Sequence, residues 1–171
     1  MIKKDKNILP KYGYGPFYAL FSFLLTILSL LYFNKIKLFQ YGIISNYLLK
    51  NIFLFFSFFS MILGVLLWCS AVFPSKGITY KLKHGELETG GVYSISRNPI
   101  YSGIYFFLLG IQILTYNIFV FIISFIIYES LVLLLINTEE KWCLNKFGKQ
   151  YEDYCKQVNR IIPWFPKTKK N

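Results

Sequence analysis

Residues 51–73 read NIFLFFSFFSMILGVLLWCSAVF, a run of 23 residues without a charged side chain. A helix needs about 20 apolar residues to cross the roughly 30 Å hydrocarbon core of a bilayer, so this run predicts a membrane-spanning helix. Three similar apolar runs occur elsewhere in the chain, at residues 16–33, 100–114 and 118–136. The last two are separated by only three residues, which predicts a helical hairpin.

The composition favours a membrane protein over a soluble one. Hydrophobic residues make up 55% of the 171 residues and charged residues only 16%, and the mean hydropathy is +0.45. A soluble domain has about 25% charged residues, and a disordered chain is poor in the aromatic residues that are abundant here. We therefore predict an all-α integral membrane bundle of about four transmembrane helices. It forms a single domain over residues 1–171, with the first two spans within residues 16–73.

The basic residues are distributed unevenly across this topology. The net charge is +11, and 16 of the 19 Lys and Arg residues fall in the N-terminal segment, the loop between the second and third spans, and the C-terminal segment. Because Lys and Arg accumulate in cytoplasmic loops, we expect both termini to be cytoplasmic, in a plasma or inner membrane. This distribution explains the charge without a nucleic-acid-binding surface. We also expect the first run to stay in the mature protein, since no small-residue cleavage site follows it.

Neither the cysteines nor the histidine suggest a metal centre. Cys69, Cys143 and Cys155 are odd in number and lack the spacing of metal ligands, and His84 is the only histidine. We expect neither a metal site nor a disulfide framework. Glu129 is the sole charged residue within the four runs. We expect its carboxylate to face a neighbouring helix or a polar cavity rather than lipid, either as a structural contact or as a catalytic group.

The segment before the third run, residues 87–103, reads LETGGVYSISRNPIYSG. Asn98 and Pro99 are typical of the cap and first residue of a helix. That interpretation leaves Tyr93, Arg97 and Tyr101 unexplained. A helix N-terminus beside an arginine and two tyrosines suits an anionic group and a flat ring.

The segment after the fourth run begins with the acid pair Glu139 and Glu140. Five residues then recur at helical spacing: Glu140, Phe147, Tyr151, Tyr154 and Val158. They share one helical face, which predicts an amphipathic helix lying on the membrane, with Trp164 and Phe165 as interfacial anchors. The acid pair itself suits a cationic ligand.

Together, the two segments resemble the isoprenylcysteine carboxyl methyltransferase family, which is related to the phospholipid N-methyltransferases. The family's first motif, G-x-Y-x-x-x-R-[HN]-P-x-Y-x-G, is matched by Gly91, Tyr93, Arg97, Asn98, Pro99, Tyr101 and Gly103. Its second motif is matched by Glu139, Glu140, Phe147, Gly148, Tyr151, Tyr154, Val158, Arg160, Ile162 and Pro163, with Cys143 at a usual leucine position. The resemblance covers residues 85–165, whereas the first two spans match only as generic membrane helices.

The resemblance implies a methyl transfer from S-adenosylmethionine to a lipid or lipidated small-molecule acceptor, with S-adenosylhomocysteine as product. It implies a cytoplasm-facing cofactor pocket within residues 85–165. The implied cofactor contacts are Leu87, Glu88, Tyr93, Asn98, Pro99, Ile100, Tyr101 and Glu139. Arg97 is implied to position the cofactor carboxylate or an anionic acceptor, and Glu140 to bind the acceptor or remove a proton.

Two departures from the family pattern leave the acceptor open. Asn98 stands where the carboxyl-methylating branch has a histidine, and residues 131–138, LVLLLINT, lack the arginine that eukaryotic members place before their acids. O-methylation of an isoprenylcysteine carboxylate and N-methylation of a phospholipid amine therefore both stay open. A non-enzymatic scaffold or transporter subunit is the alternative outside the enzymes. The sequence does not indicate an oligomeric state.

Overall fold

We describe the fold from a computed structural model over residues 14–33, 35–73 and 86–166. Over these ranges the chain forms helices and no β-strand beyond one isolated bridge, which confirms the all-α class. The helices are α1 Gly15–Tyr32, α2 Lys37–Gln40, α3 Tyr47–Val72, α4 Pro99–Ile113, α5 Val120–Asn137, α6 Glu139–Phe147 and α7 Lys149–Gln157, with a 3-10 turn at Gly91–Ser94.

Three stretches are long and apolar enough to cross a bilayer: Gly15–Tyr32, Tyr47–Val72 and Val120–Phe147. The third predicted span is different, because α4 has only 15 residues and is therefore about 22 Å long. The bundle thus contains three helices of full span length and one shorter apolar helix, at the place of the shortest apolar run in the sequence.

Helix α4 packs most closely against α3, through small residues. A Cβ atom on Gly64 would lie 2.5 Å from the backbone nitrogen of Phe107, and one on Gly103 would lie 2.8 Å from the carbonyl oxygen of Gly64. The hydroxyl of Ser57 donates a hydrogen bond of 2.8 Å to the Gly110 carbonyl of α4. Close backbone approach through small residues is a common way of joining helices in a bilayer.

Buried polar side chains join α4 to α1 and α5. Gln112 donates to the Thr26 hydroxyl of α1 at 2.9 Å and accepts a hydrogen bond from the Ser124 hydroxyl of α5. All three residues are buried. Within hydrocarbon these groups have no water to bind, so the network fixes the relative positions of the three helices.

The connection between α1 and α3 and the turn between α4 and α5 lie at the same end of the bundle. The backbone nitrogen of Ile44 donates to the Tyr116 carbonyl at 2.8 Å, and that of Ile118 donates to the Gly42 carbonyl at 3.0 Å. Helices α4 and α5 therefore form the predicted hairpin. At the opposite end, the backbone nitrogen of Tyr14 reaches Glu139, and this end carries the motif residues.

Glu129 lies at the middle of α5, on the side away from the bundle. The buried residues of α5 are Val120, Ser124, Ile127, Leu131 and Leu135. Because a helix turns by about 100° per residue, Glu129 lies almost opposite that face. Its side chain is half-buried, and no residue within the described ranges forms a hydrogen bond or an ion pair with it. The expectation that Glu129 faces a neighbouring helix or a polar cavity is not met within these ranges.

The predicted amphipathic helix after the acid pair is interrupted. Gly148 adopts φ +51°, a backbone conformation that favours glycine, and separates α6 from α7. Tyr151, Tyr154 and Val158 share one face, as the helical spacing predicted, but this face packs against Phe147 and Cys143 among others inside the protein. One amphipathic helix is therefore corrected to two short helices that share a buried face.

Several residues used to predict orientation lie outside the described ranges. They are Lys3, Lys4, Lys6, Lys11, Lys76, Lys81, Lys83, Lys167, Lys169 and Lys170, and His84, the sole histidine of the sequence, also lies outside these ranges.

Candidate functional site

A cleft of about 160 Å³ lies where α4 begins and α6 follows α5. Its lining residues come from both motifs: Leu87, Glu88, Tyr93, Arg97, Asn98, Pro99, Ile100, Tyr101, Glu139, Cys143, Tyr151 and Tyr154. The structure thus brings all the residues named as cofactor contacts to one cleft, together with Arg97. Glu140 is adjacent to the cleft but does not line it. Sequence reasoning assigned no site role to Cys143, Tyr151 or Tyr154, although the spacing of the two tyrosines predicted that they share a helical face.

Glu139 joins three elements at the cleft. Its Oε1 atom accepts a hydrogen bond of 2.5 Å from the Tyr101 hydroxyl of α4 and one of 3.1 Å from the Tyr14 backbone nitrogen before α1. Glu139 is also the first residue of α6, where the helix dipole favours a negative charge. Its second oxygen, Oε2, accepts no hydrogen bond from the part of the chain that the structure describes. One carboxylate oxygen is therefore held in place while the other is available.

Glu140 has a different environment, because both of its oxygens bind arginine. Arg160 donates from Nε to Oε1 at 2.8 Å and from Nη2 to Oε2 at 2.9 Å. Arg97 Nη2 lies 3.2 Å from Oε1. The Glu140 side chain is 9% exposed and that of Arg97 is 8% exposed, whereas that of Arg160 is 30% exposed. One buried carboxylate therefore binds a buried and a partly exposed guanidinium group. Its hydrogen bond to Glu140 raises the pKa of Arg160 above the usual value.

Arg97 connects this cluster to the cleft. Its Nη1 atom contacts the Cys155 sulfur, and its guanidinium carbon lies 5.9 Å from the centre of the Tyr151 ring. Its Nε is buried and has no hydrogen-bond partner among the described residues. A buried donor without a partner is rare and costly in a folded protein. Arg97 thus carries an unsatisfied donor while it lines the cleft.

The two motifs are held together by main-chain and hydroxyl contacts. The backbone nitrogen of Arg97 donates to the Asn159 carbonyl at 2.9 Å, and that of Trp164 donates to the Ile95 carbonyl at 3.0 Å. The buried Ser102 hydroxyl donates to the Ile161 carbonyl at 2.6 Å. The C-terminal segment is thereby fixed across the loop that precedes α4, and this brings Arg160 to the cluster.

The start of α4 agrees only in part with the capping interpretation. Asn98 directly precedes the helix and Pro99 is its first residue, as predicted. The Asn98 side chain, however, makes no capping hydrogen bond. Its amide nitrogen donates to the Arg160 carbonyl at 3.1 Å, so Asn98 joins the two motifs and does not satisfy the helix terminus.

Two tyrosines form the remaining wall of the cleft. The Tyr154 hydroxyl donates to the Tyr93 carbonyl at 2.5 Å, which fixes the 3-10 turn against α7. Burial is the main cause that raises the pKa of both hydroxyls, and Glu88 adds to the effect at Tyr93. Both side chains therefore stay neutral at physiological pH and offer flat, partly apolar surfaces to the cleft.

Comparison with known proteins gives a family match over most of the helical bundle. A family model described as phospholipid methyltransferase matches residues 51–150. The chain belongs to the phospholipid methyltransferase family. The match to the family model begins inside α3. The family relationship therefore starts earlier in the chain than residues 85–165, the range covered by the sequence motifs. The prediction of a membrane methyltransferase of this kind is confirmed.

The chain is similar in sequence to two isoprenylcysteine O-methyltransferases. Protein-S-isoprenylcysteine O-methyltransferase B of Arabidopsis thaliana is 30% identical over 151 residues, which cover 85% of this chain and 71% of that protein. Protein-S-isoprenylcysteine O-methyltransferase of Schizosaccharomyces pombe is 34% identical over 80 residues, 47% of this chain. That match spans only 34% of the length of the S. pombe protein. No solved structure matches the chain.

Proposed function

We propose that this chain transfers a methyl group from S-adenosylmethionine to a lipid-like or prenylated acceptor within a membrane and releases S-adenosylhomocysteine. One observation supports this most directly. The same cleft contains Glu139, with an available carboxylate oxygen, and Arg97, with an unpartnered buried nitrogen. These groups complement the ammonium and carboxylate of the amino-acid end of the methyl donor.

The other cleft residues fit the remainder of this donor. Tyr93, Pro99 and Ile100 offer flat and apolar surfaces suited to an adenine ring. The described cleft, at about 160 Å³, is smaller than the roughly 300 Å³ of a typical small-molecule pocket. In our proposal the cleft holds one part of the donor.

When bound, S-adenosylmethionine supplies a methyl group on a positively charged sulfur that is already activated for transfer. The residues of this chain then have to orient the two reactants and exclude water. In our proposal Glu139 binds the donor's ammonium group, and Tyr101 and the Tyr14 backbone hold this carboxylate in place. Arg97 binds a carboxylate of the donor or of the acceptor.

We assign Glu140 a positioning role. It was predicted to bind the acceptor or to remove a proton, but both of its oxygens already accept hydrogen bonds from Arg160, and Oε1 also forms an ion pair with Arg97. A carboxylate in this environment holds Arg97 at the edge of the cleft. This favours an acceptor that does not need a general base, since a carboxylate acceptor can be methylated without loss of a proton whereas an ammonium group cannot.

A second cavity supports an acceptor with a hydrocarbon chain. It has a volume of about 450 Å³ and lies between α1, α3 and α4, with an almost wholly apolar lining. Its lining residues include Gly103 and Ile104, which are within one helical turn of Tyr101 in the cleft. The cavity and the cleft are therefore adjacent along α4. Together with the names of the two relatives, this cavity favours the carboxylate of a prenylated cysteine as the methyl acceptor. A phospholipid amine is the second candidate, because the matching family model is described as phospholipid methyltransferase.

The donor assignment is tested with detergent-solubilised, purified protein. Equilibrium binding of labelled S-adenosylmethionine is measured for the wild type, Glu139→Gln and Glu152→Gln. Glu152 is an exposed acid of α7 and provides a matched control. We expect Glu139→Gln to weaken binding at least tenfold and Glu152→Gln to leave it unchanged. Absence of binding by folded wild-type protein would reject the methyltransferase proposal in favour of a scaffold or transporter subunit.

The acceptor is tested by transfer of labelled methyl groups to an S-farnesylated cysteine derivative and, separately, to phosphatidylethanolamine vesicles. Methyl esters release labelled methanol in alkali, whereas N-methyl groups are stable. We expect alkali-labile product from the prenylated substrate. If only the phospholipid carried label and this label were stable in alkali, the reaction would be N-methylation and the proposed O-methylation would be wrong.

We further propose that the cleft faces the cytoplasm. The support is the sequence distribution of Lys and Arg, which favours cytoplasmic termini. Protease digestion of a C-terminal epitope in sealed inside-out vesicles tests it. We expect loss of the epitope in these vesicles and its protection in right-side-out vesicles, and the opposite pattern would reverse the orientation.

A further inference from the structure

The lipid-facing side of α5 carries a regular stripe with one acid at its centre. The stripe residues are spaced by 4, 3, 4 and 3 positions: Ile122, Ile126, Glu129, Leu133 and Ile136. The four apolar members are 42–60% exposed. This is the heptad spacing of helices that pack together at a shallow left-handed crossing angle, in coiled coils and in many membrane bundles.

Lipid tails can cover the apolar part of this stripe but not its central residue. Glu129 is the tenth residue of the 18-residue helix α5, so it lies roughly 13 Å along the helix axis from either end. No described residue supplies a hydrogen bond or an ion pair to its carboxyl group. An ionisable side chain at this depth is costly unless a partner or a polar environment is present.

The described parts of the other two long helices have no comparable feature. The 18 residues of α1 contain no charged residue, and the only one in α3 is Lys50, in its first turn. A single polar side chain in an otherwise apolar heptad stripe commonly fixes the register and the number of associating helices. Glu129 therefore distinguishes α5 from the other lipid-facing surfaces.

We propose that the stripe of α5 packs against the same stripe of a second copy of this chain, with the two Glu129 carboxyl groups in contact. Two copies in the same membrane orientation, related by a two-fold axis along the membrane normal, place this helix parallel to its equivalent. Each residue of the stripe then meets the same residue of the other copy. Two carboxyl groups in contact share a proton in an O–H···O hydrogen bond, so the second copy supplies the partner that one chain lacks.

A second copy fits this surface better than a different protein. A foreign helix would have to match both the heptad spacing and the depth of the acid, whereas an identical helix does so necessarily. The stripe extends by seven residues on each side of Glu129, from Ile122 to Ile136. The contact surface is therefore symmetric about the residue that needs a partner.

The association is tested with full-length protein reconstituted into phosphatidylcholine vesicles. Fluorescence energy transfer between donor- and acceptor-labelled copies is measured over a range of protein-to-lipid ratios. We expect Glu129→Leu to weaken association about tenfold, while Glu129→Gln, which can still form a hydrogen bond, retains most of it. Ser130→Ala is the control, because the Ser130 hydroxyl binds only the Ile127 carbonyl of its own helix.

A second measurement identifies the surface. Disulfide cross-linking is compared for Leu133→Cys on the stripe and Leu66→Cys on α3, which have similar exposure at 60% and 58%. We expect a cross-linked dimer only for Leu133→Cys. A monomer at every lipid ratio, association unaffected by Glu129→Leu, or cross-linking only through Leu66→Cys would each overturn the proposal. None of these readouts depends on methyl transfer, so the result is independent of the proposed activity.

Discussion

The two sides of the first turn of α6 place neighbouring acids in contrasting environments. On the cleft side, Glu139 uses one oxygen to bind Tyr101 and Tyr14 and keeps the other available. On the interior side, Glu140 is buried and its oxygens are occupied by Arg97 and Arg160. Adjacent residues of a helix point about 100° apart, so one turn supplies both a binding group and a structural group. Identical side chains in a motif thus need not share a role.

The largest effect is expected on the interior side. Glu140→Gln removes the only carboxylate seen in the described cluster and leaves two arginine side chains uncompensated. Breaking a buried ion pair from one side costs about 3–5 kcal/mol of unfolding free energy. We expect a marked fall in the thermal unfolding temperature in detergent. Lys156→Ala, which disrupts the exposed pair with Asp153, serves as the control, and equal stability of the two variants would contradict the structural role.

The next effect is expected on the cleft side. Glu139→Gln should lower the affinity for S-adenosylmethionine by about 10- to 100-fold, which corresponds to roughly 1.4–2.7 kcal/mol of binding free energy. Because Glu139 is half-buried and the amide can still accept from Tyr101, the unfolding temperature should change little. Isothermal titration and thermal unfolding, measured on the same preparation, check this. If Glu139→Gln lowered the unfolding temperature without lowering the affinity for S-adenosylmethionine, Glu139 would have a structural role like that of Glu140.

A smaller effect is expected from the group that holds Glu139. Tyr101→Phe removes the 2.5 Å hydrogen bond but keeps the ring that packs against Tyr18. We expect the affinity for S-adenosylmethionine to fall by about three- to tenfold, because the carboxylate is less well oriented. Tyr105→Phe, another tyrosine of α4, provides the comparison in the same binding measurement. Unchanged affinity of Tyr101→Phe would show that Glu139 does not depend on this contact.

The smallest effect concerns the pH dependence of stability. Burial is the main cause that raises the pKa of Tyr151, which lines the cleft, and of Cys155, which contacts Arg97. In the unfolded chain these groups lose their protons at a lower pH, so above about pH 9 the folded state holds more protons and unfolding free energy falls as pH rises. Thermal unfolding between pH 8 and pH 10.5 measures this. Tyr151→Phe should reduce the slope, whereas the same change at exposed Tyr41 should not.

The long helices and the helical hairpin were predictable because they depend on local composition. The uncharged run at residues 51–73 lies almost entirely within α3, and the three residues between the last two runs fall in the observed hairpin turn. The apolar run at residues 100–114 likewise agrees with α4, Pro99–Ile113, within one residue at each end. The break at Gly148 depends on one backbone angle, which helical periodicity does not reveal.

The site was predictable in its membership but not in its contacts. Motif spacing identified Tyr101, Arg97 and both acids, yet the pairing of Glu140 with Arg160 bridges 20 residues. The contact of Arg97 with Cys155 bridges 58. Such contacts depend on how the C-terminal segment crosses the loop before α4, and no local pattern encodes that crossing. The same holds for Asn98, whose side chain joins Arg160 and does not cap its own helix.

The short length of α4 has a consequence for how deep the cleft lies relative to the bilayer surface. Its 15 residues fall about 8 Å short of a roughly 30 Å hydrocarbon layer. If the turn after α4, which is bonded to the connection after α1, lies at one surface of the bilayer, the cleft end of α4 lies about 8 Å inside the other surface. A substrate with a long chain could then reach the cleft while that chain stays in hydrocarbon. It would avoid an extraction cost of about 0.8 kcal/mol for each methylene group.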